Sequence, residues 1–387
     1  MKDRGSSRYV AAGIALLISL ACLGSGVLER RMVDFEVNDR AARRIPLGET
    51  LYRSADGHFQ FKYPPAAALV YLPLTVLPPE TAKAAWLFLS LLAAWACLRL
   101  SLRLAGWEEG RSSRAAGALA LLIIGKYLMR ELELGQVNLF ILLLMLLSAR
   151  FLARAERDGR PCDEAAAGCL WGLATAVKPY TLVFLPYLLL RRRFRALVWG
   201  GSILAASFIL PGLYYGFRGN LLVIGEWLRS LTASTPPLLT SQDNISVFAC
   251  AAKILGDPEA AVGRGFGAVA ILALVFLLVV LKGRFKPESL ALEVGLLLLL
   301  TPLVSPLGWD YTLLAGLPAV LLVLRHFDRI PRAGRALLSV SLALTPLFLF
   351  DLFGRHAYGA LMGVCLPAWN ALILAGFLVD LRRRGVC

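Results

Sequence analysis

Residues 290–304 read LALEVGLLLLLTPLV and run directly into Ser305-Pro306-Leu307-Gly308-Trp309-Asp310. Residues 311–324 are apolar again, and they end at Arg325, Arg329, Arg332 and Arg335. An apolar run, a Pro/Gly turn carrying one acid, a second apolar run and a basic cluster describe two membrane helices joined on one face. Lys and Arg beside spans stay in the cytoplasm, so the Ser305–Asp310 turn is expected outside.

The same alternation extends in both directions. Lys2, Arg4 and Arg8 precede an apolar run at 9–28, nearly long enough to span. Ser19-Leu20-Ala21-Cys22 faintly suggests a lipoprotein cleavage site, but the expected Leu is missing at position 19, which favours an uncleaved anchor. Residues 29–80 form a first extracytoplasmic loop. Within it, Tyr63-Pro64-Pro65 opens a run to Pro78 that is too short and Pro-rich for a span and suits an interfacial or re-entrant segment.

Residues 81–104 return inside, 115–129 exit, and Glu131-Leu132-Glu133-Leu134-Gly135-Gln136 makes an outer turn before 137–152 re-enter. Residues 165–177 exit to a break at Lys178-Pro179, and 181–190 return to Arg191-Arg192-Arg193. Residues 194–215 exit to a long outer loop at 216–263, which carries Ser241-Gln242-Asp243-Asn244. Residues 266–281 return, 337–353 exit, and 361–381 end at Arg382-Arg383-Arg384. The expected architecture is an all-α polytopic membrane protein of about 12 spans, as one transmembrane domain over 1–387 with both termini cytoplasmic. No internal repeat is visible.

Composition agrees. Of 387 residues, 58% are hydrophobic and 17% charged, where soluble domains run nearer about 25% charged. The mean hydropathy is +0.67. The formal net charge of +15 comes from 41 Lys and Arg against 26 Asp and Glu. Because the basic residues sit in short clusters between apolar runs, they read as topology signals and not as a nucleic-acid surface. Seven cysteines without paired spacing imply neither a disulfide framework nor a zinc site.

Traced by charge and length alone, the unusual polar residues fall on one face. Asp34 and Glu36 follow the first run; Glu131, Glu133 and Gln136 cap the next pair of helices; Lys178 and Asp310 cap later ones. Ionisable groups near lipid are costly without a role, so their convergence suggests a shared site. Asp34 is either a general base for an attacking hydroxyl or a solvated loop acid balanced by Arg30 and Arg31, with Glu36 and Asp39 as competing bases. Lys178 either holds a lipid phosphate, snorkels to headgroups, or pairs with Glu131 or Glu133. Trp309-Asp310-Tyr311 is either a sugar-stacking platform or part of an interfacial aromatic belt. No metal-ligand spacing, Walker loop or nucleophile elbow is present.

These motifs together resemble glycosyltransferase family 87, whose best-known members are polyprenol-phosphate-mannose-dependent mannosyltransferases. The likeness runs through Asp34-Phe35-Glu36-Val37, Ala41-Ala42, Leu47-Gly48, Leu51-Tyr52, Phe61-Lys62-Tyr63-Pro64-Pro65, Gly135-Gln136-Val137-Asn138, Lys178-Pro179 and Ser305-Pro306-Leu307-Gly308-Trp309-Asp310. It implies a GT-C fold with an outward-facing site under the first extracytoplasmic loop.

It also implies that Asp34 is the catalytic base and that Lys178 lies near the donor phosphate. Arg130 is expected as a second phosphate-binding cation, and with only scattered carboxylates neither a metal nor a cofactor is expected. Glu131, Gln136, Asn138, Tyr63, Trp309, Asp310 and Tyr311 are expected around the sugar and acceptor. The family commonly has His after Trp-Asp, whereas this chain has Tyr311, which can donate a hydrogen bond but brings no charge. Asn38-Asp39 replaces the aromatics usual after the catalytic acid.

The implied reaction moves a hexose such as mannose from a polyprenyl-phosphate donor to an envelope glycolipid or glycan acceptor, with inversion, at the plasma membrane and without nucleic acid. Two other classes share parts of the pattern. A transporter would tend to show inverted repeats and midplane helix breaks. An envelope polysaccharide polymerase or ligase would rely on basic residues of a large outer loop, where Arg218 and Arg229 are thin support.

Overall fold

The computed structural model describes residues 32–256, 258–281 and 287–386, so the run at 9–28 lies outside the described residues. Every regular element among those residues is helical, the one extended pairing being an isolated bridge between Asn244 and Trp309.

The stretch at 289–303 is buried at every position, because α11 (Pro287–Val304) runs through the middle of the bundle. A helix that is apolar all round must be enclosed on all sides. Against it pack α4 (Asn138–Asp158), α12 (Leu317–Arg325) and α15 (Leu366–Arg383), while α2 (Pro79–Leu104) and α3 (Arg111–Leu134) pack on α12. On one flank, α5 (Pro161–Val177) pairs closely with α7 (Phe194–Ile209), and the Ser148 hydroxyl donates to the Ala167 carbonyl at 2.8 Å, tying α5 to α4.

Three described helices are long and apolar enough to cross a bilayer singly: α2, α4 and the Val262–Val280 part of α10 (Pro258–Leu281). Two bent pairs qualify jointly. In one, α7 turns by 87° into α8 (Gly212–Leu239); in the other, α13 (Arg332–Leu347) turns by 111° into α14 (Phe350–Gly363). Two other expected spans are shorter apolar helices, Pro179–Leu190 and Ser289–Val304. The run at 181–190, for example, begins as a 3-10 turn, Pro179–Val183, and continues as the seven-residue α6 (Phe184–Leu190).

The stretch at 216–263, expected as a long loop, is largely helical. α8 covers its first half with a kink at Gly216, and α9 (Val247–Leu255) follows after a short turn. The reason is amphipathic spacing. Val223 and Trp227, one helical turn apart, are buried against Ile45, Leu51, Tyr52 and Phe61 of the first loop. The Trp227 indole N–H donates to the Lys62 carbonyl at 3.2 Å. The first loop is thus covered by a helix lying across it.

Polar groups separate to the two ends of α11. Near its start, Glu293 accepts from Arg191 and Arg382, both from clusters assigned to the basic face. Beyond its end lie Asp310 and Tyr311, among the residues assigned to the other face.

Candidate active site

Asp34 stands in the first turn of α1 (Val33–Arg44), and three local features aim other residues at it. Gly135 ends α3 in a left-handed conformation, φ 67°, which glycine adopts without strain. A Cβ there would lie 2.7 Å from Phe35 Cβ and 2.9 Å from Met32 Cε, so the missing side chain also admits α1. Gln136 follows at once and meets Asp34. Pro179, in turn, disfavours helix at Lys178, which is extended at φ −133°, ψ 107° and leaves the end of α5 pointing inward.

The result is one connected polar network. Gln136 Nε2 donates to Asp34 Oδ2 at 2.6 Å and to the Tyr311 hydroxyl at 3.1 Å. Gln136 Oε1 accepts from Lys178 Nζ at 3.0 Å and from the Tyr63 hydroxyl at 3.2 Å. Lys178 Nζ also donates to Asn138 Oδ1 at 2.8 Å, and the Tyr180 hydroxyl donates to the same oxygen at 3.0 Å. Asn138 Nδ2 donates to Glu131 Oε2 at 2.7 Å, and the Leu139 amide N–H donates to Glu131 Oε1 at 3.0 Å. The Lys178 ammonium sits 5.0 Å above the Tyr63 ring, within cation–π range. Glu131, Gln136, Asn138 and Lys178 are all buried, while Asp34 and Tyr63 remain partly accessible.

Electrostatics single out Asp34 within α1. Glu36 pairs with Lys83 at 3.0 Å and Asp39 with Arg43 at 2.8 Å, so both competing acids already hold cations. Asp34 makes its contact to a neutral amide instead. Burial holds its carboxyl above the usual carboxylate range, against the Gln136 hydrogen bond and the Lys178, Arg130 and Lys62 charges, which pull it down. A carboxylate of raised basicity at an accessible rim can take a proton from a hydroxyl, and a buried ammonium beside it can face an anion.

The remaining expected residues lie to one side. Arg130 is half-exposed and approaches Asp243 at 3.7 Å, outside the Gln136 network. Asp310 pairs with Lys126 at 3.1 Å, and the Lys126 ammonium also lies 4.5 Å from the Phe348 ring. Trp309 is partly buried, and its turn is held by Asn244, whose Oδ1 accepts from the Gly308 N–H at 3.1 Å and whose Nδ2 donates to the Pro306 carbonyl at 3.1 Å. Gly308 is required there, since a Cβ would fall 1.7 Å from the Pro302 oxygen.

Lys126 and Tyr180 did not stand out in sequence, and Asn244 stood out only as part of Ser241-Gln242-Asp243-Asn244, without a role. For Lys126 a signal existed, because it is an ionisable residue inside the apolar run at 115–129. Among the described residues no group of three His, Cys, Asp or Glu side chains is placed to hold a metal ion.

Residues 61–306 match glycosyltransferase family 87, and that match covers well over half of the chain. The chain belongs to this family. As a family 87 member it is a membrane glycosyltransferase, and the matched region holds Tyr63, Glu131, Gln136, Asn138 and Lys178, whereas Asp34 and Tyr311 flank it. No curated protein matches the chain. Solved structures similar to it include ArnT from Cupriavidus metallidurans bound to undecaprenyl phosphate, at 14% identity and a TM-score of 0.45. The apo state of the same protein has 14% identity and a TM-score of 0.39. Each alignment covers 96% of this chain and 78% of that one.

Proposed function

We propose that this family 87 glycosyltransferase moves a hexose, with mannose the first candidate, from a polyprenyl-phosphate donor to a hydroxyl of an envelope glycolipid or glycan. The observation that carries the reading is the pairing, through one amide, of a basic carboxylate at Asp34 and a buried ammonium at Lys178. Transfer from a lipid phosphate needs both: a group to take the acceptor proton and a cation for the phosphate that leaves.

In the step we assign, Asp34 takes the hydroxyl proton as the acceptor oxygen forms a bond to the anomeric carbon. The bond from that carbon to the phosphate oxygen breaks, and its electron pair leaves on the phosphate. In-line displacement inverts the anomeric centre. Lys178 meets the developing phosphate charge, with Arg130 at the rim as a second cation. Glu131 and Asn138 hold Lys178, while Tyr63, Tyr311, Trp309 and Asp310 line the approach for sugar and acceptor. The whole chain acts as one unit in the plasma membrane, with the site on the extracytoplasmic face and both termini in the cytoplasm.

The test uses purified protein in lipid nanodiscs, radiolabelled polyprenyl-phosphate hexoses and an extract of envelope glycolipids. The reading expects label to move to the acceptor from the lipid-linked donor and not from a nucleotide sugar. Transfer from a nucleotide sugar alone would overturn it. So would uptake of solute into proteoliposomes lacking any lipid-linked donor, which would make the chain a transporter.

A further inference from the structure

The Gln136 amide lies between two opposite charges, and chemistry fixes which way it faces. An ammonium only donates hydrogen bonds, so the atom facing Lys178 is the oxygen; a carboxylate only accepts, so the atom facing Asp34 is the nitrogen. Both N–H bonds are used, on Asp34 and Tyr311, and both oxygen lone pairs are used, on Lys178 and Tyr63. With its hydrogen-bonding capacity taken up inside the protein, this side chain has none left for a sugar hydroxyl. Asn138 stands between Lys178 and Glu131 in the same manner.

We propose that Gln136 is a positioning residue that holds Asp34 and Lys178 apart, keeping the base and the phosphate-binding cation from neutralising each other in a direct ion pair. This rests on Asp34 being the base and Lys178 facing the donor phosphate. Two opposite charges in a pocket of low polarity attract strongly, and lysine has a long, flexible stem. Bonded directly to Lys178, Asp34 would be a poorer base, and the ammonium would be occupied before the donor arrived.

Glutamine suits this place on three counts. It carries a donor and an acceptor on one rigid plane, it has no charge of its own, and it is one methylene longer than Asn. Besides Lys178, the charged and titratable groups facing Asp34 among the described residues are Lys62 and Tyr63 from the first loop, Tyr71 after the Pro65–Val70 turn, Arg130 of α3, and Tyr311. None of them is replaced when Gln136 alone is changed, and only Lys178 can bring a full positive charge from the Gln136 amide onto Asp34, so the direction of a shifted pH profile reports on the spacer.

The experiment is the pH dependence of kcat/KM for the parent, Gln136→Ala, Gln136→Glu and Asp34→Asn in nanodiscs with the lipid-linked donor. With Gln136→Ala, Lys178 closes on Asp34; kcat falls about 10²-fold, as for a small misplacement of reacting groups. The acidic limb then moves to lower pH by about 1–2 units, the effect of an opposite charge at contact distance. Gln136→Glu places a like charge beside Asp34, so its limb moves to higher pH instead.

Opposite shifts are what a spacer produces and what a merely structural or sugar-binding residue does not. Parental limbs in both folded variants, with only the donor KM raised, would overturn the inference while leaving the base intact. Parental transfer by Asp34→Asn would instead remove the reading on which it rests.

Discussion

Replacing Lys178 by Met separates the two jobs that residue performs. The ammonium donates to Gln136 Oε1 at 3.0 Å and Asn138 Oδ1 at 2.8 Å, and it is the counter-charge acting on buried Glu131. Met fills the space of the stem but donates nothing. The two amide oxygens keep Tyr63 and Tyr180 as donors, so neither becomes unsatisfied. Glu131, however, would lose the cation that acts on it across Asn138, at a cost below the ~3–5 kcal/mol of breaking a direct buried pair.

Glu131→Gln in the same chain removes that uncompensated charge, and its amide can still accept from the Leu139 N–H. The double variant is therefore expected to recover most of the lost stability. It is not expected to recover transfer, because a preorganised donor at a developing oxyanion contributes about 10²–10³-fold in rate. Thermal unfolding in detergent measures the first effect, and single-turnover transfer from a lipid-linked donor measures the second. If Lys178→Met/Glu131→Gln transferred sugar at the parental rate, Lys178 would be only a counter-ion for Glu131.

Further outcomes follow from other contacts. Since burial raises the Asp34 carboxyl and the base must be unprotonated to act, kcat/KM is fully developed at high pH. It should fall as pH drops through a value above the ordinary carboxylate pKa of about 3.9; a parental acid limb below that value would contradict the assignment. Gly308→Ala should be destabilised by about 1–3 kcal/mol or more, because its methyl must displace the Pro302 carbonyl, and a drop in Tm reads this directly. Asp310→Ala leaves Lys126 buried without its partner, a loss of about 3–5 kcal/mol, and Lys126→Met in the same chain should regain much of it. Ser54→Cys, at an exposed position of the first loop, should react with a membrane-impermeant thiol reagent in intact cells; labelling only after lysis would invert the topology.

What could be read from the sequence was local in character. Gly135 and Pro179 mark helix ends by their own backbone chemistry, so the residues beside them, Gln136 and Lys178, could be placed at one membrane depth without any knowledge of packing. Asp34, Gln136, Lys178 and Tyr311 were placed on one face by the tracing, Tyr63 and Asn138 entered through the family motifs, and the structure brings all six together. Partner choice was not legible, because it depends on tertiary approach. Nothing in the spacing of Lys126 and Asp310, or of Asn244 and Gly308, announces that they meet.

The stretch at 216–263 misleads for a different reason. Its apolar residues are too dilute for a span, yet Val223 and Trp227 supply one stripe that folds onto the first loop. Breaks within apolar runs, such as the 87° turn between α7 and α8, are likewise invisible to a hydropathy count.

The central claim is that the Asp34 carboxylate takes the proton of the attacking hydroxyl. Asp34→Asn preserves size and can still hydrogen-bond Gln136, so the most direct measurement compares donor binding and single-turnover transfer in that variant and the parent. Parental donor affinity with transfer slowed by about 10²–10⁴-fold, the contribution of a general base, is the predicted result. Transfer at the parental rate by correctly folded Asp34→Asn would contradict the account.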